Sequence, residues 1–378
     1  MLSVPLKVVT FPVGLAALLV KEVLGAALGP GPPNPVTAAV ADVSAWGLSP
    51  VVGKSGPRSS FGGGLHFERF HPFFLRSWIS IRGSQLHAGG FENGWAGSGS
   101  AWGLEGGFRR YAEPHFWGIG PDTDPDGETD YRWDQAFVAG GSRLRAGPVA
   151  WSGAVAWEEN TVHRGFDRSS PDLQDVADPD TLFGLGEETR YVRVGGSLAL
   201  DLTRLHALQR RGLLVEAGGT GFFGVGGTDS DFLRWNGELA TYLPLNDRQQ
   251  LAIRGLAELN RSQSGRGIPF THLASLGGSH KLRGFDRDRF RDRDLLAVSS
   301  EWRYEVWREK LNRARTEGFL FLDWGTVAER LDKLDGSDLR SSWGFGMRAI
   351  MEGQLALLWY LALGGEETQF RVKFSWPY

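Results

Sequence analysis

The feature that most limits how this chain can fold is a period of two in hydropathy, running from about residue 60 to the end. In the last segment Phe370, Val372, Phe374, Trp376 and Tyr378 share one face, and Arg371, Lys373 and Ser375 share the other. Residues 295–307 set Leu296, Val298, Trp302, Tyr304 and Val306 against Ser299, Glu301, Arg303 and Glu305. Side chains alternate across a strand, so each such segment predicts a β-strand with one apolar and one polar face. A soluble sandwich alternates too, with its apolar face turned to a core. Three features point instead to strands that cross a bilayer. The segments run roughly 10 to 15 residues, longer than the usual soluble strand and enough to span hydrocarbon at a tilt. Tryptophans at Trp133, Trp151, Trp157, Trp302, Trp307 and Trp376 lie near segment ends, where an interfacial girdle belongs. Tight links at 147–148, 245–247 and 351–353 interleave with long ones at 113–129, 162–187 and 262–293, as short turns on one membrane side and long loops on the other would.

Backbone groups find no water in lipid, so spanning strands must close on themselves. The expected fold is all-β, an antiparallel transmembrane β-barrel over residues 60–378. Fourteen strand segments are legible; the count becomes 16 if 73–92 hides a turn and 44–58 supplies one more strand, and an even number is expected. Ahead of the barrel, residues 36–59 read as a linker with room for the first strand. Residues 1–35 read as an amphipathic helix: Phe11, Leu15, Leu18, Leu19 and Val23 fit one face, and Gly29 to Pro33 end it. A cleaved export signal is the competing reading, since Lys7 precedes an apolar run.

Composition removes several function classes. With no cysteine among 378 residues there is no disulfide framework, zinc–thiolate cluster or thiol nucleophile. A net charge of -3 leaves no excess of cations for a nucleic-acid backbone. Asp122, Asp124, Asp126 and Gly127 mimic the start of a calcium loop, but Trp133 stands where the bidentate glutamate belongs, so a solvated loop is the simpler reading. The glycines at 62–64 and 224–227 precede no helical pattern and read as strand glycines rather than a phosphate cradle. None of the eight histidines pairs with a serine at a recognisable nucleophile turn. The expectation is no catalytic site, metal or cofactor, and no enzyme activity.

The informative stretch is the long loop 262–294, which carries Leu276-Gly277-Gly278 and then Leu282-Arg283-Gly284-Phe285. A loop of about 30 residues is too long for a plain connection. Its tip offers a planar cation in Arg283, a residue free to take positive φ in Gly284 and an aromatic anchor in Phe285. Downstream, alternation turns Leu320, Leu322 and Trp324 to lipid, so Phe319, Phe321, Asp323 and Gly325 face the lumen. Asp323 is then an enclosed carboxylate that needs a partner; Arg283 can supply one bidentately, with Glu301 as a second acceptor.

These motifs resemble those of the BamA-like superfamily of outer-membrane barrels, the bacterial surface antigen type. In that family a loop after the eleventh of sixteen strands folds into the barrel, and its Arg-Gly-Phe/Tyr tip meets the aspartate of a Phe-x-Asp-x-Gly strand. Leu282-Arg283-Gly284-Phe285 and Phe321-Leu322-Asp323-Trp324-Gly325 match both patterns, and Phe116-Trp117-Gly118-Ile119-Gly120 precedes an acidic loop as in the family. The C-terminal alternation of Phe370, Val372, Phe374, Trp376 and Tyr378 resembles the signal read by the barrel-assembly machinery, with Tyr378 in place of the more usual phenylalanine. The resemblance covers about residues 60–378. It implies a bacterial outer-membrane protein, partnered by outer-membrane lipids and, during biogenesis, by the assembly machinery, that translocates or inserts protein or lipid through its lumen or a seam between first and last strands. A passive pore, or a structural barrel of a larger membrane complex, is the alternative. Fewer than 60 residues precede the first clear strand. No polypeptide-transport-associated domain fits there, and the barrel-only branch is the expected placement.

Overall fold

The computed structural model describes residues 48–53, 61–94, 100–166, 170–206, 209–309, 314–333, 336–351 and 354–374. The segment 1–35, Trp376 and Tyr378 lie outside the described residues, as does the side chain of Phe374. Sixteen staves are present among the described residues. They are β1 (Leu48–Gly53), β2 (Gly62–Phe70), β3 (Phe73–Ser80), β4 (Gln85–Gly94), β5 (Ser100–Tyr111), β6 (Arg132–Ala146), β7 (Val149–His163) and β8 (Glu188–Asp201). After these come β9 (Gln209–Gly224), β10 (Ser230–Pro244), β11 (Gln249–Gly265), β12 (Asp294–Arg308), β13 (Ala314–Ala328), β14 (Arg340–Met351), β15 (Gln354–Leu363) and β16 (Gln369–Phe374). A three-residue piece, Arg204–His206, extends β8 along the same partner β9. Each stave pairs antiparallel with the next, so the sheet is one continuous meander. The region 73–92 does contain a turn, at 81–84, and the first stave lies within 44–58.

Which face is buried separates this sheet from a soluble sandwich. Leu75, Trp102, Leu104, Leu198, Trp235, Leu239, Trp302, Leu320 and Trp343 are exposed, whereas Glu158, Asn160, Glu305, Glu317 and Asp323 are buried. The apolar set faces out and the charged set is enclosed, which is the arrangement hydrocarbon stabilises and water would not. Trp133 corrects the sequence reading: instead of joining an interfacial girdle it is buried, with its indole N–H donating to Asn160 Oδ1 at 3.1 Å. Its parity within β6 puts it on the same side as Gln135 and Phe137, which are buried as well. Gly226 and Gly227, read as strand glycines, have φ of +63° and +95° and form the turn after β9, where only glycine is unstrained.

The long connections converge over one end of the sheet. Phe116 and Tyr131 from the 112–131 connection, Leu173, Leu182 and Leu185 from 164–187, and Ile268, Phe270 and Leu273 from 266–293 form one apolar cluster with Tyr191, Phe222 and Phe232 of the wall. Such a cap excludes water from that end and fixes where the third connection enters the interior.

Candidate functional site: the inward loop and its wall

The connection between β11 and β12 runs inward as a short hairpin, Ala274–Leu276 paired with Phe290–Asp292, with the tip between them. Leu276, Leu282, Phe285 and Phe290 of the loop pack with Leu295, Ala297 and Val327 of β12 and β13. Phe285 meets Phe290 edge to face at 5.2 Å. This apolar seat aims Arg283 at the β12–β13 wall.

There Arg283 Nε and Nη2 donate to Asp323 Oδ2 and Oδ1 at 2.8 and 2.7 Å, and the Arg283 backbone N–H donates to Asp323 Oδ2 at 3.1 Å. Nη1 donates to Glu301 Oε1 at 2.5 Å and Nη2 also reaches Ser299 Oγ at 2.8 Å. Ser299 in turn donates to Asp323 Oδ1 at 2.7 Å. The guanidinium lies 3.6 Å over the Phe321 ring, so its flat face is covered by a π cloud while its edge is satisfied by oxygens. Asp323 is about 1% exposed. An unpaired carboxylate there would carry a large desolvation cost, and four donors from two residues offset it.

Gly284 departs from the sequence expectation. Its φ is not positive; the left-handed glycines of the loop are Gly277 and Gly278, at +118° and +79°. Gly284 is required for space, because a Cβ there would sit 2.5 Å from Ser342 Cβ, and its N–H donates to Ser342 Oγ at 3.1 Å. Gly325 plays a similar part on the wall, where an added Cβ would strike Leu276 Cδ1 at 2.8 Å.

Glu301 is shared by three cations: besides Arg283 it receives Arg303 at 2.8 Å and Arg348 at 3.1 Å, and Arg348 continues to Glu317 at 2.8 Å. Of the C-terminal residues, Phe370 and Val372 are exposed on the outer face of β16, while Arg371 pairs with Asp286 of the loop at 3.1 Å.

Two further loop anchors escaped the sequence reading. Arg289 and Arg291 are each about 1% exposed. Arg289 binds Glu366 between β15 and β16 and both oxygens of Thr123; Arg291 donates to Tyr131 Oη at 2.9 Å and to the His115 carbonyl at 3.2 Å. Asp122, in the aspartate-rich stretch, pairs with Arg340 at 2.5 Å. On the opposite wall His272 meets Glu158 of β7 at 2.8 Å inside a cage of Trp133, Tyr191, Phe222 and Phe232. Burial holds the His272 imidazole below its ordinary value, against the pull of Glu158. The parity of β7 could have flagged Glu158 as enclosed; nothing local marks His272.

No curated protein matches the chain. Among solved structures it is similar in fold to BamA from Haemophilus ducreyi lacking POTRA domains 1–3, with TM-score 0.59 and 13% identity, covering 86% of this chain and 68% of that one. It is also similar to CdiB from Escherichia coli, with TM-score 0.53 and 15% identity over 87% of this chain and 61% of that one, so it spans less than two thirds of CdiB. Residues 154–352, which contain the loop, its tip and the Asp323 strand, match the Omp85 superfamily domain. That match takes in more than half of the sequence, and the chain belongs to the Omp85 superfamily of outer-membrane β-barrels.

Proposed function

We propose that this barrel translocates or inserts a protein or a lipid at the outer membrane, and that Arg283, with Leu282, Gly284 and Phe285, locks the inward loop to Phe321, Asp323, Gly325 and Glu301. The observation that carries this reading is the Arg283–Asp323–Glu301 cluster, which fastens about 28 residues of loop inside the sheet instead of over it. The terminal staves give a second support. β1 and β16 share no backbone pairing among the described residues, and a weakly paired edge there would serve an incoming strand or lipid. The work would be done by the lumen or that seam, without cofactor or covalent chemistry. Phe370 and Val372, with Phe374, Trp376 and Tyr378 after them, would form the signal that the barrel-assembly machinery reads during biogenesis.

Single-channel recording in planar bilayers tests the reading against a passive pore. A nearly closed wild-type lumen, with Arg283→Ala raising the frequency of open events, is expected. Large, steady conductance in the wild type that Arg283→Ala leaves unchanged would favour the pore.

A further inference from the structure

The short links that join β6 to β7, β8 to β9 and β10 to β11 stand side by side on one rim, and short links of an outer-membrane barrel face the periplasm. Residues 142–149, 200–213 and 244–250 carry six arginines, Arg143, Arg145, Arg204, Arg210, Arg211 and Arg248, against two carboxylates, Asp201 and Asp247; six minus two leaves a net charge of +4 with His206 neutral. The external connection 112–131 has the opposite sign, with six carboxylates and no lysine or arginine. Backbone contacts hold the links together: the Asp201 N–H donates to the Pro148 carbonyl at 2.7 Å, and Gln209 Nε2 to the Asp247 carbonyl at 3.3 Å. A single oxygen, Asp201 Oδ2, faces two guanidinium groups, Arg145 at 3.6 Å and Arg210 at 3.4 Å. Arg204 and Arg211 stand directly opposite each other in the ladder with β9, a juxtaposition of like charges that costs stability. Arg211 Nη2 reaches Gln209 Oε1 at 3.4 Å, and its buried Nε has no acceptor among the described residues. Arg143, Arg204 and Arg248 are exposed and pair with no carboxylate among the described residues.

We propose that this rim is a docking surface for an acidic segment of a periplasmic polypeptide. Guanidinium groups hold carboxylates through paired N–H donors, and clustered arginines are a recurring way for a folded surface to take an acidic sequence. Six neighbouring staves at the usual spacing span about 24 Å, which an extended segment of about eight residues covers. Carboxylates along such a segment relieve the repulsion between Arg204 and Arg211 and give Arg143 and Arg248 the acceptors they lack. Direction favours a polypeptide over lipid headgroups. The lipid-facing sides of these staves end in Leu144, Leu200, Leu202, Leu243 and Leu245, all exposed. Arg143 and Arg145 alternate with Leu144 and so turn to the lumen, and Arg210 lies 5.3 Å from the ring of Tyr242, over which Arg303 also lies. Headgroups gather outside the staves, whereas these cations border the mouth of the barrel. An excess of charge beside a low-dielectric opening concentrates groups of the opposite sign there. The proposal concerns what the rim binds, so it stands whether the barrel is a translocator or a pore.

The test uses the full chain in an uncharged detergent, with a fluorescently labelled peptide of about eight residues alternating glutamate and serine as the probe. Peptides with glutamine or lysine in place of glutamate are the controls. Anisotropy should show the glutamate peptide binding at low ionic strength and fading as salt screens the rim, with neither control bound. Arg143→Gln/Arg204→Gln/Arg248→Gln should weaken that binding roughly tenfold, because three exposed ion pairs are lost. Arg330→Gln, on the external side, should leave it unchanged. Heat-modifiable gel mobility shows whether the triple variant is folded. If it is not, a photo-crosslinking form of the glutamate peptide decides the matter on the wild type, where adducts should fall within 142–149, 200–213 and 244–250. Nanodiscs of mixed phosphatidylcholine and phosphatidylglycerol form the second arm, and native mass spectrometry counts the phosphatidylglycerol that the released barrel retains. Retention that the triple variant loses, without peptide binding, assigns the rim to lipid headgroups and overturns the proposal. It is equally overturned if the glutamate peptide fails to bind, if the glutamine peptide binds as well, if the folded triple variant binds as tightly as the wild type, or if the adducts map elsewhere.

Discussion

At the scale of single residues the interior is organised around charges that cannot reach water. Asp323 is satisfied by Arg283 and Ser299, and Glu301 by three guanidinium groups. Removing one member leaves the other enclosed. Arg283→Gln should therefore cost about 3–5 kcal/mol in denaturant unfolding of the detergent-solubilised barrel. Asp323→Asn should cost a similar amount, and the double variant less than the two together, because the pair is lost only once. Additive losses would mean that the two side chains do not share one interaction. Both partners were readable from sequence, since each sits in a short motif and the parity of β13 turns Asp323 inward. Arg289, Arg291 and His272 were not, because their partners lie up to 176 residues away and nothing local to the loop marks them.

Among elements, the staves opposite the loop are shaped to receive it. β14 carries Gly344 and Gly346 where Cβ atoms would strike the rings of Phe321 and Phe319, at 2.6 and 2.7 Å, as well as the carbonyls of Leu361 and Trp359. Phe321 is the ring on which Arg283 lies, so crowding at Gly344 reaches the lock through one intermediate. Gly344→Ala should destabilise the barrel by about 1–3 kcal/mol, the usual cost of overpacking. Gly255 has open space around the position of its Cβ and no positive φ, and Gly255→Ala should fall within about 0.5 kcal/mol of wild type. Thermal unfolding of the two variants side by side checks this; equal effects would show that the approach of β14 to the Phe321 ring is not a constraint. Strand alternation was plain in the sequence, but which glycines give room and which give a turn was not. Gly284 and Gly226 exchange the roles expected of them, because room depends on what the neighbouring strand presents.

On the scale of the whole molecule, the longest staves stand in the middle of the sheet. β10, β11 and β12 have 15 to 17 residues each, while the described spans of β1 and β16 have six and no backbone pairing with one another. Backbone amides should therefore exchange fastest in β1 and β16 and slowest in β10–β12 when the barrel is followed by hydrogen–deuterium exchange in detergent. Uniform protection around all sixteen staves would mean a seam as firmly paired as the rest, and would remove the lateral route as a mechanism.

The alternation of faces, the alternation of link lengths and two short motifs determined by themselves that the chain is a barrel of membrane-crossing strands with a long loop at 262–294 whose tip seeks Asp323; the outer membrane and the loop's place after the eleventh stave came with the family resemblance. Those signals are local: parity belongs to each strand, and a motif to a few neighbouring residues. Only the tertiary structure decided that Trp133 lines the interior, that Arg289 and Arg291 tie the loop to distant connections, and that His272 meets Glu158. Each of these depends on which residues the folded sheet and its connections bring opposite one another, and an enclosed charge outside a motif has no sequence signature until its partner is in place.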